Sequence, residues 1–127
     1  HLGDSSLFEY FSRSHVLTVP STYEGFGIVY LEGMGFGLPA LACQVGAVSE
    51  IIEHGANGFL IPPGDVSKLT HYIEQLIQNR SLLENLSVNA HRTYHRHPTW
   101  QESLVQVPNF LTKVISLHRT IEENEPS

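Results

Sequence analysis

The sequence predicts an α/β fold: an incomplete parallel sheet of about three strands, flanked by helices in three layers. Three observations predict it. Short apolar runs at Val16–Val19, Pro39–Cys43 and Phe59–Ile61 alternate with segments of helical period. Each run is followed by a turn bearing glycine or proline. The chain has 127 residues, 41 % of them apolar, which is enough for one modest core and too apolar for a disordered chain. Strands separated by helices pair in parallel through right-handed crossovers. Three strands are few for an open sheet of this kind, so part of the domain is expected to lie upstream of His1.

Each element has its own justification. Residues 5–13 carry Leu7, Phe8, Tyr10 and Phe11 behind Asp4 or Ser5 as N-cap, the pattern of a short helix. Val16–Val19 is a buried strand. Gly27–Phe36 is a helix although it contains Gly33 and Gly35; each costs it up to ~1 kcal/mol relative to alanine, which implies close packing at those positions. Pro39–Cys43 is a second strand and Ser49–Glu53 a brief helix. Asn57-Gly58 makes a turn into a third strand, Phe59–Ile61, which Pro62-Pro63-Gly64 stops. Asp65 caps a helix to Asn79 whose apolar face carries Val66, Leu69, Ile73, Leu76 and Ile77. Ser81 and Glu84 form a capping-box pattern for the next helix, with Leu82, Leu83 and Leu86, and Thr99 and Glu102 repeat it before a last helix that Pro108 should kink or interrupt. The acidic tail, 121–127, is expected to fray.

The segment from Pro20 to Glu32 carries the clearest chemistry. It runs from the end of a strand, through Gly25 and Gly27, into a helix, and two glutamates, Glu24 and Glu32, lie eight positions apart within it. In an open α/β sheet, loops at the C-terminal ends of strands line the ligand crevice. The N–H groups of Gly27, Ile28 and Val29 should open the helix without intrahelical partners, and with the helix dipole they suit a diphosphate. Glu32 would stand ~12 Å along the axis if the segment were fully helical, and its carboxylate can accept from both hydroxyls of a ribose. Glu24, in the turn, would face the sugar side. The plainer reading stands beside this one: such spacing also arises by chance, and exposed helix glutamates are usually solvated.

Bulk properties limit the alternatives. A formal charge of −6 argues against nucleic-acid binding. The single cysteine, Cys43, allows no intramolecular disulfide. There is neither a membrane-length apolar run nor a signal-peptide pattern, so the expected location is cytoplasmic.

Taken in order, Pro20 to Glu32, Gly37-Leu38-Pro39, Val45-Gly46-Ala47, Glu50-Ile51-Ile52, Asn57-Gly58-Phe59-Leu60 and Pro62-Pro63-Gly64-Asp65 resemble the C-terminal half of retaining group 1 glycosyltransferases of the GT-B fold. The likeness covers roughly residues 3–100. It implies that residues 1–120 are part of a Rossmann-like donor-binding domain. It implies that Glu32 binds the donor ribose, that Glu24 contacts the donor sugar, and that the backbone of Gly25, Phe26, Gly27 and Ile28 contacts sugar and phosphate. No residue is implied as a certain catalytic group; Glu24 is the candidate sugar contact. The donor would be a nucleotide diphosphate sugar, UDP-, GDP- or ADP-linked, with no further cofactor and no protein-bound metal. The partners implied are that donor and an N-terminal acceptor domain absent from this chain, which would also decide any peripheral contact with a membrane. The chain departs from the family pattern where Gly33 and Gly35 replace common alanines. The family's basic pair for the diphosphate would lie upstream of His1, so the chain alone is expected to be inactive.

Two other functions remain open at this point. One is a non-catalytic nucleotide-binding or self-associating module, with dimerisation through the unpaired edge of Val16–Val19. The other is a phosphorylase or epimerase of similar fold. The remaining constellations are weaker. His91, His95 and His97 suggest a metal site, but a solvated polar helix end is the favoured reading. Gly33-Met34-Gly35-Phe36-Gly37 lacks the spacing of a dinucleotide fingerprint and ends a helix. Cys43 closes an apolar strand and reads as a buried small residue. Ser49, Glu50 and His54 define no triad, and Trp100 reads as an anchor for the last helix.

Overall fold

The computed structural model describes residues 4–99, 102–103, 105, 107–113 and 116. Up to Arg96 the element order is α1 (Asp4–Arg13), β1 (Leu17–Val19), α2 (Ile28–Gly35), β2 (Ala40–Cys43), α3 (Val48–Ile51), β3 (Gly58–Ile61), α4 (Val66–Gln78) and α5 (Arg80–Arg96). The strands form one sheet in the order β1-β2-β3, all parallel, with Leu17 opposite Ala40 and Ala40 opposite Gly58. The predicted fold class is therefore the observed one. β2 is central and buried at all four positions, as a strand covered on both faces must be.

Strand alternation divides the core in two. Ala40 and Ala42 face a cluster built with Tyr30 and Met34 of α2, Val48 and Ile51 of α3, and Ala90 of α5. Leu41 points the other way, into a cluster with Phe59, Ile61, Leu76 of α4, and Leu83 and Leu86 of α5. One face is thus covered by α2 and α3 and the other by α4, while α5 contributes to both. The glycines of α2 mark close approaches, as their cost to the helix implies. A Cβ on Gly33 would come within 2.8 Å of the Leu17 side chain, and one on Gly35 within 3.2 Å of the Tyr94 ring.

Several local expectations need correction. The turn before β3 spans Gly55–Asn57, and Gly58 already belongs to the strand. A side chain at Gly58 would collide with the backbone of Ala40, so glycine lets the two strands meet there. Helix α5 begins at Arg80, not after Ser81; its cap is Asn79, whose Oδ1 accepts from the Leu82 N–H at 3.0 Å. Asp65 caps α4 as expected, accepting from the Lys68 N–H at 2.9 Å. The apolar stripe of α4 is only partly inward. Leu76 is buried, whereas Val66 and Ile77 are about 70 % exposed. Helix α1 already begins at Asp4, so Asp4 and Ser5 are helical positions and not its N-cap. The anchor expected at Trp100 lies outside the described residues.

The described residues from His97 onward form a second compact unit. There Thr99 and Glu102 make the expected capping box. The Thr99 N–H donates to Glu102 Oε2 at 2.7 Å, and the Glu102 N–H donates to Thr99 Oγ1 at 3.2 Å. The bonds from the Thr99 N–H and hydroxyl hold the Glu102 carboxyl below its usual range. Pro108 sits inside helical residues 107–113, so it does not interrupt that stretch.

Candidate functional site

The loops that follow β1, β2 and β3 lie at the C-terminal edge of the parallel sheet. The first of them, Pro20 to Gly27, holds most of the residues singled out from the sequence. Its N-terminal end is fixed by Tyr30 of α2, whose buried hydroxyl donates to the Val19 carbonyl at 3.2 Å. Burial, with the nearby Glu24 and Cys43, pushes the Tyr30 phenol up to about 12, so it stays a proton donor across the physiological range. Beyond that anchor the loop faces solvent. Tyr23 and Phe26 are more than 80 % exposed, and Gly25 has open space where a Cβ would stand.

Gly27 turns the chain into α2. It sits at the N-cap with φ +67°, a left-handed conformation that disfavours any other residue, and it is packed under Ile51 and Tyr30. The helix then starts at Ile28. The N–H groups of Ile28 and Val29 have no partner among the described residues, as an anion-binding helix start requires. Gly27 is different from the expectation: its N–H is not bare but donates to Glu24 Oε1 at 3.3 Å. A carboxylate at this end of α2 complements the helix dipole.

A second loop supports this one. Gly46, after β2, has φ +54°, and a Cβ there would overlap the Glu24 carbonyl oxygen. The Val45-Gly46-Ala47 bend is therefore pressed against the backbone of the first loop and sets the position of Glu24. The sequence shows Gly46 only as one letter of a motif, and its steric role needs the two loops side by side. Glu32 is exposed. It follows Ile28 by one helical turn, so the two share a face. Along α2, Glu32 lies ~6 Å from the Ile28 amide.

The candidate site thus offers two amides without a partner among the described residues, two carboxylates and an open apolar rim of Tyr23, Phe26 and Ile28. No lysine or arginine occurs in Pro20–Glu32, Gln44–Ala47 or Pro62–Asp65, so these segments cannot neutralise a diphosphate by themselves. Two concave spaces of the described structure lie elsewhere, and neither is lined by a residue of Pro20–Glu32. One, about 290 Å³, is lined by Val16, Thr18, Ile73, Leu76, Ile77 and their neighbours. The other, about 280 Å³, includes Phe36, Leu38 and Ser87. Cys43 is buried. His91 and His95 are exposed, with their Nε2 atoms 3.3 Å apart.

Comparison with known proteins gives this geometry a context. Residues 1–93 match the family described as "Glycosyl transferases group 1". An uncharacterized glycosyltransferase of Methanocaldococcus jannaschii is 33 % identical over 84 % of this chain and 31 % of its own length. Among solved structures, the sucrose-phosphate synthase of Thermosynechococcus elongatus superposes with a TM-score of 0.78 at 26 % identity, over 92 % of this chain and 29 % of that one. Anabaena HepE in complex with UDP superposes with a TM-score of 0.69 at 27 % identity, over 85 % of this chain and 29 % of that one. HepE has also been solved with UDP-glucose. The chain spans 27–31 % of the length of the first curated relatives it matches.

Proposed function

This chain belongs to the group 1 glycosyl transferases, and on that premise we propose that it forms the donor-nucleotide part of a retaining enzyme that transfers a hexose from a nucleotide diphosphate sugar to an acceptor hydroxyl. The observation that carries the reading is the exposed turn after β1, with free Ile28 and Val29 amides and Glu32 one helical turn beyond them. UDP is the favoured nucleotide, because HepE binds UDP and UDP-glucose and superposes over most of the chain.

The roles follow from the donors and acceptors present. The free amides of Ile28 and Val29, backed by the dipole of α2, donate to phosphate oxygens. The Glu32 carboxylate accepts from the ribose diol. Glu24 turns from the Gly27 N–H to hydroxyls of the donor sugar, which frees a third amide for phosphate. The contribution is positioning and stabilisation of charge on the departing diphosphate. Neutralising cations and the acceptor site belong to the rest of the longer protein. On this account Glu32→Ala in the full-length enzyme weakens donor-nucleotide binding by about 1.5–3 kcal/mol, the worth of hydrogen bonds to a charged group. Calorimetric titration with UDP checks this, and an unchanged affinity removes Glu32 from the site.

A second reading rests on a separate observation. β1 pairs only with β2, and its other edge has no strand partner among the described residues. The exposed Ile77 and half-exposed Ile73 border the same side. A bare edge beside apolar surface favours self-association of the isolated chain. Light scattering coupled to size exclusion should show a dimer growing with concentration; a monomer at hundreds of micromolar removes this reading.

A further inference from the structure

The last turns of α5 carry a pair of side chains that the donor site does not use. His91 and His95 are four residues apart on one helix face, both exposed. Their Nε2 atoms, the distal nitrogens of the two rings, converge to 3.3 Å, and the ring centroids are 4.4 Å apart at 72°. Two imidazole nitrogens bound ~2.0–2.1 Å from one ion at a tetrahedral angle are separated by about 3.3–3.4 Å. The free pair already has the bite of a chelate. In the neutral pair one nitrogen donates to the other. Only a single weak hydrogen bond is given up when both lone pairs turn to a cation.

The surroundings agree. The pair sits in the C-terminal part of α5, near the negative end of the helix dipole, where a cation is stabilised. The same stretch carries Ala90, buried in the core beside α2, and Tyr94, packed on Gly35 of α2. His54 is occupied otherwise: its Nδ1 accepts from the Leu60 N–H at 3.1 Å, and its Nε2 lies 3.4 Å from the Tyr72 hydroxyl.

We propose that His91 and His95 together chelate one late first-row divalent ion, Cu²⁺, Ni²⁺ or Zn²⁺, through both Nε2 atoms, with water completing the coordination. Imidazole donors favour these ions over Mg²⁺ and Ca²⁺, and the affinity order is Cu²⁺ above Ni²⁺ and Zn²⁺. A bound ion staples the turn of α5 that carries Tyr94 onto α2, the helix that bears Glu32. The site is independent of the donor reading and stands if that reading fails.

The test is titration of the whole 127-residue chain with Zn²⁺ and with Ni²⁺ by calorimetry, alongside His91→Ala and His95→Ala. Both positions are exposed, so both variants should fold. The expected result is one ion per chain held by the pair, with affinity falling about tenfold or more in either variant, since even outer-shell losses cost that much. Long-range ¹H–¹⁵N spectra of the imidazoles should show the Nε2 resonances of His91 and His95 moving together as Zn²⁺ is added. Equal affinity in the wild type and both variants overturns the proposal. So does Zn²⁺ moving other histidines while leaving this pair in place.

Discussion

Gly46→Ala should unfold the chain more easily and weaken nucleotide binding together, although residue 46 is itself no proposed ligand group. Two costs combine at this position. The backbone is left-handed, with φ +54°, which costs an alanine about 1–2 kcal/mol. The added Cβ also overlaps the Glu24 carbonyl oxygen, so one of the two loops has to move. Backbone cannot yield as a side-chain tip can, and the combined loss is expected to reach about 2–4 kcal/mol. Moving the Glu24 loop displaces Gly27 and the helix start behind it, and UDP affinity should drop about tenfold, because misplacement by an ångström is costly in a positioned site. Gly55→Ala supplies the control. Gly55 has a positive φ of 80° but nothing within 4 Å of its Cβ, so its alanine variant carries only the conformational cost. Urea unfolding and UDP calorimetry on the two variants separate the terms. Equal losses at both positions would show that the contact between loops is unimportant.

Asn57→Ala should be the most destabilising polar substitution in the first unit. Asn57 is 3 % exposed and the only buried polar residue of the described core. Its side chain closes three separate pieces of chain. Oδ1 accepts from the Glu53 N–H at 2.9 Å, while Nδ2 donates to the Ile51 carbonyl and to Thr93 Oγ1, both at 3.0 Å. The end of α3, the turn before β3 and helix α5 are thereby joined at one point. Truncation removes all three bonds and leaves the buried Ile51 C=O unpaired, at about 1–3 kcal/mol, on top of about 1 kcal/mol for each of the other two bonds. The expected loss is about 3–4 kcal/mol, read as a lower urea midpoint with an unchanged slope. Thr93→Val deletes one of the three bonds and should cost about 1 kcal/mol. A loss below 1 kcal/mol for Asn57→Ala would mean that water or a shifted chain replaces the side chain without penalty.

The fold was readable where a local pattern has a single physical solution. Apolar Pro39–Cys43 reads as a strand and is one over Ala40–Cys43, and Asp65, between Pro62-Pro63-Gly64 and an apolar-periodic run, reads as a helix cap and is one. Gly33 and Gly35 signalled close packing because a helix keeps glycines only when something stands where their Cβ would be. The misses have reasons of the same kind. Asn79 outcompeted Ser81 as the cap of α5, since both residue types fit a cap and only the helix start decides between them. The outward-facing Val66 and Ile77 obey helical periodicity, but periodicity says nothing of which positions of the stripe a neighbour covers. Around the candidate site, the strand-turn-helix order was legible. The bond from the Gly27 N–H to Glu24, the pressure of Gly46 on Glu24 and the convergence of His91 with His95 depend on distances that no spacing in the chain encodes.

The most direct test of the donor site is amide mapping by ¹H–¹⁵N correlation spectra as UDP is added to the chain. The account predicts that the Gly27, Ile28 and Val29 amides shift first and furthest, with the Glu32 region following, and that the cavity lined by Val16, Ile73 and Ile77 stays silent. Saturable shifts confined to that cavity, with the start of α2 unmoved, would contradict it.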